Sequence, residues 1–321
     1  MRVQNAGVRV ALMIEGQEGV TWEQWVALAR TCEESGIEAL FRSDHYIGFH
    51  AADTSGSLDC WTTLSALAAV TTKLRLGSLV SPVTFRHPSV LAKAVATADH
   101  VSGGRVELGI GGGWMEREHE AYGFPFPETR VRMELLAEQI EIVHRQWTED
   151  SFDFDGRHYR LERSTALPKP LQRPHPPLIV GGSGRAGTLG PAVRWADEYN
   201  TTFPTDDEVE ERRRRLAEEC ERQGRDMLRF SIMTTCVVGG DRAEFTERAR
   251  AVYGLGQRDA GFEDWLAGQR RGAILGTLDE VAERLQRLAA LGVDGVMLQH
   301  LRHDDLETVE LIGRELVPAV A

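Results

Sequence analysis

The segment Arg105-Val-Glu-Leu-Gly-Ile-Gly-Gly-Gly-Trp114 joins an apolar strand to a run of glycines, and a charged, helix-prone stretch follows it. Glycines at the carboxyl end of a strand let the backbone approach a planar or anionic ligand, because no Cβ stands in the way. The same arrangement returns at Leu178-Ile-Val-Gly-Gly-Ser-Gly-Arg185. The two glycine turns therefore predict one shared ligand, a phosphorylated cofactor.

Strand-like and helix-like segments alternate along most of the chain. Eight apolar segments predict strands, over residues 8–14, 38–42, 74–80, 106–110, 178–180, 198–202, 230–238 and 296–299. Amphipathic segments between them predict helices, over residues 22–34, 61–71, 89–101, 130–147, 186–196, 206–223, 243–252, 278–291 and onward from 305. Such a repeat indicates parallel strands with helical crossovers. Eight units in 321 residues predict an α/β fold, the closed (β/α)8 TIM barrel, with an open doubly wound sheet as the alternative.

We expect one domain over residues 1–321, since no linker rich in Pro, Gly and Ser divides the chain. A hairpin is expected around residues 152–159. Residues 124–128, 152–177 and 254–276 are predicted insertions or long loops. In a TIM barrel the chemistry gathers on the loops that follow the carboxyl ends of the strands. That rule selects the residues considered below.

The charge balance excludes some classes of partner. A formal net charge of −12 argues against nonspecific binding to nucleic acid or to an anionic membrane. The basic run Arg212–Arg215 lies between acidic segments, so it predicts a salt-bridged helix face.

The four cysteines, at positions 32, 60, 220 and 236, are scattered and form no CxxC pair. We therefore expect reduced, buried thiols in a cytoplasmic protein. Neither a signal peptide nor a membrane-spanning stretch is expected from the sequence.

A histidine beside an aspartate ends the second predicted strand, at Asp44-His45. His45 is a candidate general acid or base, because the ordinary pKa of histidine lies near neutrality. The competing interpretation is that Asp44 caps a loop and His45 is only hydrogen-bonded. His50 and Asp53 could join His45 around a metal, but the chain supplies no matching ligand set, and no metal is expected.

The third predicted strand ends in the stretch 79–88, where Pro82 and Pro88 make the turn irregular and rigid. Such a turn could press a backbone bulge against a flat ring, or it could be a plain strand-to-helix loop. Trp114 could equally be a ligand wall or a core or interface aromatic. The spacing Gly109-x-Gly111 is not a Rossmann fingerprint, since the third glycine is missing and the fourth strand is the wrong place for it.

The turn Gly181-Gly-Ser-Gly-Arg185 offers backbone N–H groups, a hydroxyl and a guanidinium at the start of a predicted helix. Helix N-termini attract anions, so this turn is a candidate phosphate site. Asn200, Gln299 and His300 end strand elements nearby, where they could line a pocket or make ordinary loop hydrogen bonds.

Taken together, these motifs resemble the bacterial luciferase-like family, especially its branch that uses the 8-hydroxy-5-deazaflavin coenzyme F420. The resemblance covers nearly the whole chain. It depends on the order of short motifs: Ser43-Asp-His45, Leu76-Gly-Ser-Leu-Val80, Phe85-Arg-His-Pro88, Gly109-Ile-Gly-Gly-Gly-Trp114, Glu118-His-Glu-Ala-Tyr-Gly123, Gly156-Arg-His-Tyr159, Pro168-Lys-Pro170, Gly181-Gly-Ser-Gly184 and Ala196-Asp197.

The resemblance implies a TIM barrel, often in a homodimer, with a flavin-type ring at the carboxyl ends of the strands. It implies a non-prolyl cis peptide near residues 79–81 behind the ring, and His45 matches a histidine proposed to handle protons in the sugar-phosphate dehydrogenases of this branch. The candidate cofactor-binding residues, from resemblance and motif together, are Asp44, Val80, Ser81, Gly111, Gly112, Gly113, Trp114, Gly181, Gly182, Ser183, Gly184 and Arg185.

The chain departs from those dehydrogenases at two positions. Trp114 stands where they carry a glutamate, and Phe49 stands where they carry a tryptophan. A glucose phosphate substrate is therefore not expected, and His45 acts alone or water supplies the proton. We expect the substrate pocket to draw on Met13, Glu15, the loop after His45 and residues 254–276.

The sequence thus predicts an F420-dependent oxidoreductase that transfers a hydride to or from a small organic substrate. The alternative is a monooxygenase that uses FMN reduced by a partner flavin reductase. A non-catalytic protein that binds a flavin or deazaflavin is a further alternative.

Overall fold

The computed structural model describes residues 7–49, 55–256 and 260–321. Its strands are β1 (Arg9–Ile14), β2 (Ala39–Arg42), β3 (Arg75–Pro82), β4 (Val106–Gly111), β5 (Phe152–Asp155), β6 (Arg160–Ser164), β7 (Leu178–Gly181), β8 (Glu198–Thr202), β9 (Arg229–Gly239), β10 (Ile274–Thr277) and β11 (Gly295–Gln299). Its helices are α1 (Trp22–Ser35), α2 (Cys60–Val70), α3 (Pro88–Ser102), α4 (Glu116–Tyr122), α5 (Thr129–Thr148), α6 (Ala186–Trp195), α7 (Asp206–Gln223), α8 (Arg242–Tyr253), α9 (Phe262–Gln269), α10 (Leu278–Ala290), α11 (Leu306–Leu311) and α12 (Val317–Val320), with a π-helical turn, Ile312–Leu316, before α12.

Eight parallel strands close into a barrel in the order β1, β2, β3, β4, β7, β8, β9 and β11. Closure is made by β11, which pairs with β1 so that Gln299 lies opposite Met13, and with β9 on its other side. The predicted (β/α)8 TIM barrel is therefore confirmed, and the open-sheet alternative is wrong.

The side chains of the barrel strands divide between two apolar clusters. Residues two apart on a strand share a face, so alternate positions enter the lumen and the others meet the helices. The lumen cluster consists of Ala11, Met13, Ala39, Phe41, Leu79, Ile179, Met233 and Met297. A larger cluster of buried residues fills the layer between strands and helices. Because apolar side chains fill the lumen, a ligand has room only at the mouth of the barrel, at the carboxyl ends of the strands.

The helices begin and end where the sequence supplies caps. The hydroxyl of Thr21 accepts from the backbone N–H of Gln24, whose side chain accepts from the Thr21 N–H in return. Gly36 ends the same helix in the left-handed conformation, at φ 95°. Such caps satisfy backbone groups that a bare helix terminus leaves unpaired, and they fix the ends of α1.

Residues 254–276 contain more structure than the sequence indicates. They include α9 and most of β10, and β10 pairs with the carboxyl-terminal part of β9 outside the barrel. Phe245, Ala249 and Trp265 belong to a small separate apolar cluster there. Burial against that cluster stabilises a helix that is too short to be evident from its own sequence.

The basic run on α7 is paired with acidic neighbours, as predicted. Arg212 pairs with Glu208, and Arg214 and Arg215 both pair with Glu211. These contacts are made one helical turn apart, and Arg214 and Arg215 form a solvated helix face. Arg213 instead donates to the Gly292 carbonyl and is partly buried.

All four cysteines are buried free thiols, as expected. Burial raises the pKa of the Cys236 thiol to about 12, so this thiol stays protonated at neutral pH. Among the residues with described structure, no helix combines the length and apolar character needed to cross a membrane.

Candidate active site

The two glycine turns lie side by side at the carboxyl edge of the barrel. Strand β4 pairs with β7 so that Ile110 lies opposite Val180, which places Gly111 next to Gly181. A Cβ added at Gly111 would come within 3.8 Å of the Gly181 carbonyl oxygen. The sequence predicts two turns that serve one ligand, and the fold brings them together.

The side chain of Val80 fills the space that these glycines leave. A Cβ at Gly111 would lie 2.6 Å from Cγ2 of Val80, and a Cβ at Gly181 would lie 3.0 Å from its Cγ1. Val80 packs on the lumen cluster and stays partly exposed. The absence of a Cβ at Gly111 and Gly181 therefore makes room for the Val80 side chain at the barrel mouth, which is called the Val80 platform below.

A bulge in β3 presents this platform. The Leu79–Val80 peptide is cis, where the resemblance implies a non-prolyl cis bond. The pairing of β3 with β4 shifts register between Ser78 and Ser81. Trp61 donates its indole N–H to the Ser81 hydroxyl at 2.9 Å, and the Ser78 hydroxyl donates to the Gly109 carbonyl at 2.9 Å. Side chains on both sides of Val80 therefore hold the bulge in place.

His45 has a buried acidic partner. Its Nδ1 lies 2.7 Å from Oε1 of Glu118, a residue of α4. The other carboxylate oxygen of Glu118 accepts the backbone N–H of Tyr46 at 3.1 Å. The Glu118 side chain is 1% exposed and that of His45 is 14% exposed. Since an ionised carboxylate only accepts, His45 carries its proton on Nδ1, and Nε2 is left for other partners.

Two aromatic rings lie close to the imidazole of His45. The rings of Phe49 and Trp114 lie 5.1 Å and 5.6 Å from the imidazole, both edge to face. Trp114 is 64% exposed, so it is not a core residue. Its place beside His45 favours the interpretation of Trp114 as a wall of the site.

Asp44 makes a buried ion pair with Arg86. Nη1 of Arg86 lies 2.6 Å from Oδ2 of Asp44, and Nη2 donates to Asp59 at 2.7 Å. Burial disfavours the charge on Arg86, but Asp44 reverses this and the pKa of the guanidinium is raised. The pKa of the Asp59 carboxyl is lowered, because the hydrogen bonds that it accepts from the Thr62 backbone and from Arg86 outweigh the effect of its burial. The Asp44 carboxylate therefore ties the loops after β2 and β3 together.

The turn after β7 differs in part from its prediction as a row of unhindered N–H groups. The Gly182 N–H donates to the Asn200 carbonyl and the Gly184 N–H donates to the Tyr199 hydroxyl, both at 2.9 Å. A Cβ at Gly182 would collide with that same hydroxyl. These two glycines therefore serve packing against β8, because the turn must fold back onto the neighbouring strand.

Ser183 and Arg185 remain exposed at the start of α6. Arg185 is the N-cap residue, and no side chain caps the helix. Within the described ranges no acidic side chain pairs with Arg185. An uncapped helix N-terminus beside a free guanidinium attracts anions, so this end of the turn keeps the character of a phosphate site.

Gly112 and Gly113 also have packing reasons. A Cβ at Gly112 would collide with the Met133 methyl group, and Gly113 adopts φ 74°, which disfavours other residues. The glycine run after β4 is thus explained by its neighbours in the protein.

The remaining candidates have ordinary partners or lie elsewhere. Asn200 donates to the Ser231 hydroxyl at 2.9 Å, and the buried His300 contacts the Asp305 carbonyl at 3.1 Å through Nε2. Burial lowers the pKa of His300 to about 4. His50 and Asp53 lie outside the described residues. In the part of the chain that is described, no cluster of His, Cys, Asp and Glu could hold a metal ion.

Glu118 is the site residue that reasoning from sequence did not single out. It lies 73 positions from His45, and only the packing of α4 against the loop after β2 brings the two together. The one available signal was its position four residues after Trp114, inside a motif of the resemblance.

Known proteins resemble this chain over most of its length. The family model described as luciferase-like monooxygenase matches residues 7–295. The FMNH2-dependent dimethylsulfone monooxygenase of Pseudomonas putida is 30% identical, over 91% of this chain and 86% of its own. The F420-dependent glucose-6-phosphate dehydrogenase of Nakamurella multipartita is 29% identical, over 91% of this chain and 90% of its own. The crystal structure of monooxygenase RslO1 from Streptomyces bottropensis matches with a TM-score of 0.79 at 24% identity, over 98% of this chain and 100% of that one.

Proposed function

The chain belongs to the luciferase-like monooxygenase family, and from that premise we propose that it is an oxidoreductase that transfers a hydride between coenzyme F420 and an organic substrate. The observation that carries the proposal is the His45–Glu118 pair at the same barrel edge as the Val80 platform. Hydride transfer to a carbonyl or from an alcohol also moves a proton, and an oriented imidazole can take or give that proton.

The residues at the barrel mouth fit such a cofactor. Val80, seated on Gly111 and Gly181, offers a partly exposed apolar floor for a flat ring. Ser183, Arg185 and the uncapped N-terminus of α6 would hold a phosphate. When bound, the deazaflavin supplies a ring carbon that accepts or releases a hydride.

The protein contributes to the reaction by transferring a proton. Glu118 accepts from Nδ1 of His45, which fixes the tautomer and leaves Nε2 to take a proton from a substrate hydroxyl or return one to a carbonyl oxygen. The burial of Glu118 keeps water from competing for this contact. Phe49 and Trp114 limit the access of water from the exposed side.

A second candidate is a monooxygenase that uses FMN reduced by a partner flavin reductase. It is favoured by the 30% identity with the dimethylsulfone monooxygenase of Pseudomonas putida. The platform and the phosphate site fit FMN as well, because both cofactors carry a tricyclic ring and a phosphate.

Titration of the purified protein with F420 and, separately, with oxidised and reduced FMN distinguishes the two. Cofactor fluorescence or absorbance reports binding. We expect F420 to bind at least about tenfold more tightly than FMN in either state. The reverse order supports the monooxygenase, and failure of both to bind overturns both proposals. A bound cofactor whose redox state never changes across a broad panel of alcohols and ketones favours a non-catalytic binding protein.

A further inference from the structure

A chain of polar side chains lies on the side of the barrel mouth formed by β1, β2, β9 and β11. Glu15 follows β1 two residues after the lumen residue Met13, and Gln299 follows Met297 on β11 in the same way. Because residues two apart share a face, each lies one step nearer the mouth than the apolar lumen residue of its own strand. The mouth therefore has two unlike halves, one of glycine and Val80 and one of hydrogen-bonding side chains.

The hydrogen bonds of this chain fix how each group is oriented. The Thr235 hydroxyl donates to the Gln299 carbonyl at 2.7 Å, so the Gln299 amide must turn its NH2 group to Glu15, at 2.6 Å. On the other side of Glu15, the Ser43 hydroxyl donates to the side-chain oxygen Oε1 of Gln17. The NH2 group of the same Gln17 amide donates to the Glu15 carboxylate at 2.9 Å. Both amide dipoles therefore converge on one carboxylate.

Glu15 is 7% exposed and has no cationic partner among the described residues. A carboxylate offers about four acceptor positions, and the two glutamines occupy two of them. A buried carboxylate is costly unless its remaining positions are satisfied. The open positions at the barrel mouth thus call for a hydrogen-bond donor.

We infer that Glu15, held in place by Gln17 and Gln299, orients the substrate, and that the substrate presents a hydroxyl or N–H donor at this point and no anionic group. The inference rests on the proposed function and extends it, since it places the substrate on the polar half of the mouth and the cofactor on the glycine half. A phosphate or carboxylate at this point would face a fixed negative charge in a region of low dielectric. The sugar phosphate of the F420-dependent relative is therefore not the substrate class expected here.

Four probes of similar shape test the inference: cyclohexanol, cyclohexylamine, cyclohexanone and cyclohexanecarboxylate. Ligand-observed NMR measures their binding to the full chain, with and without F420. We expect the alcohol or the amine to bind roughly tenfold more tightly than the ketone and the carboxylate. The alcohol and amine arms distinguish a neutral donor from a cationic one.

The Glu15→Gln variant is expected to lose this preference, because the new side-chain amide presents an NH2 group to two glutamines that already donate. Thr235→Val frees the Gln299 amide to rotate and should reduce the preference about threefold. Glu23→Gln, at an acid in the first turn of α1, is the matched control and should behave as the wild type. If Glu15→Gln fails to fold, as judged by circular dichroism, Thr235→Val decides.

Equal binding of all four probes to the wild type overturns the inference, as do tighter binding of the carboxylate and failure of both donors to bind. The inference is also overturned if Glu15→Gln keeps the wild-type preference for the donor probes. If Glu15→Gln does not fold, the same result in Thr235→Val overturns it. Cofactor titration separates these results from failure of the proposed function, because F420 should bind wild type and Glu15→Gln alike.

Discussion

The imidazole Nδ1 of His45 lies 2.7 Å from Oε1 of Glu118, and the same carboxylate accepts the backbone N–H of the residue after the histidine. The carboxylate therefore holds both the ring and the backbone of the segment that carries it. A histidine oriented in this way has one defined tautomer and leaves Nε2 for another partner, which is what the proton transfer proposed for His45 requires.

Replacement of His45 by Ala should lower turnover about 100- to 1000-fold, because the proton loses its acceptor, while cofactor affinity changes less than about twofold. Steady-state oxidation or reduction of F420 with the best alcohol or ketone of the panel measures the first, and fluorescence titration measures the second. Turnover equal to that of the wild type would remove His45 from the mechanism.

Replacement of Glu118 by Gln should lower kcat about tenfold with little change in KM, since the amide can donate to His45 as well as accept from it. In addition, ¹⁵N NMR of the imidazole should show loss of the single Nδ1–H tautomer. The His45→Ala, Glu118→Gln double variant should be no slower than His45→Ala alone, because Glu118 acts through the histidine. Additive losses in the double variant would show that Glu118 has an independent role.

Replacement of Gly111 by Ala should destabilise the protein by about 1–3 kcal/mol, because the new methyl group overlaps with Val80. Chemical denaturation measures the free energy of unfolding. A second substitution, Val80→Ala, should restore part of the loss by vacating the space. If the double variant is as unstable as the sum of the single ones, the two side chains do not compete for that space.

Replacement of Arg185 by Gln should weaken cofactor binding roughly tenfold and reduce its dependence on salt, because one charged contact to phosphate is lost. Arg194→Gln, in the last turn of the same helix, is the matched control and should bind as the wild type does. Fluorescence titrations at low and high salt give both quantities. Equal losses in the two variants would indicate a general effect of charge on the helix.

The stability of the protein should decrease as the pH is lowered, partly through His144. Burial, together with the nearby His175, lowers the pKa of His144 to about 4, whereas an unfolded histidine has a pKa near 6.5. Between those values the unfolded chain gains a proton that the folded chain does not, so acidification favours unfolding. From about pH 7 to about pH 4 the wild type should lose up to about 3 kcal/mol more than His144→Gln. Parallel unfolding curves for the two proteins across this range would contradict the prediction.

The fold could be predicted from sequence because its signals are local. Each of the eight barrel strands and the helix that follows it show their periodicity within a short window, and glycine turns such as the one after β4 mark where a strand ends. Even the bulge in β3 has a local signature, in Pro82, which follows it directly. The small apolar cluster that stabilises α9 joins residues from separate segments, so no short stretch of sequence contains it. The sequence therefore predicts only an insertion or long loop over residues 254–276.

The partners of the site residues were decided by the tertiary structure alone. Sequence patterns locate Asp44, His45 and Glu15 at strand ends. Their partners Arg86, Glu118 and Gln299 met them only when distant segments packed together. The same packing gave Gly112, Gly182 and Gly184 protein neighbours that the sequence did not indicate. Periodicity determines which face of an element is buried, whereas hydrogen-bond partners depend on the closure of a ring of strands, which no single segment encodes.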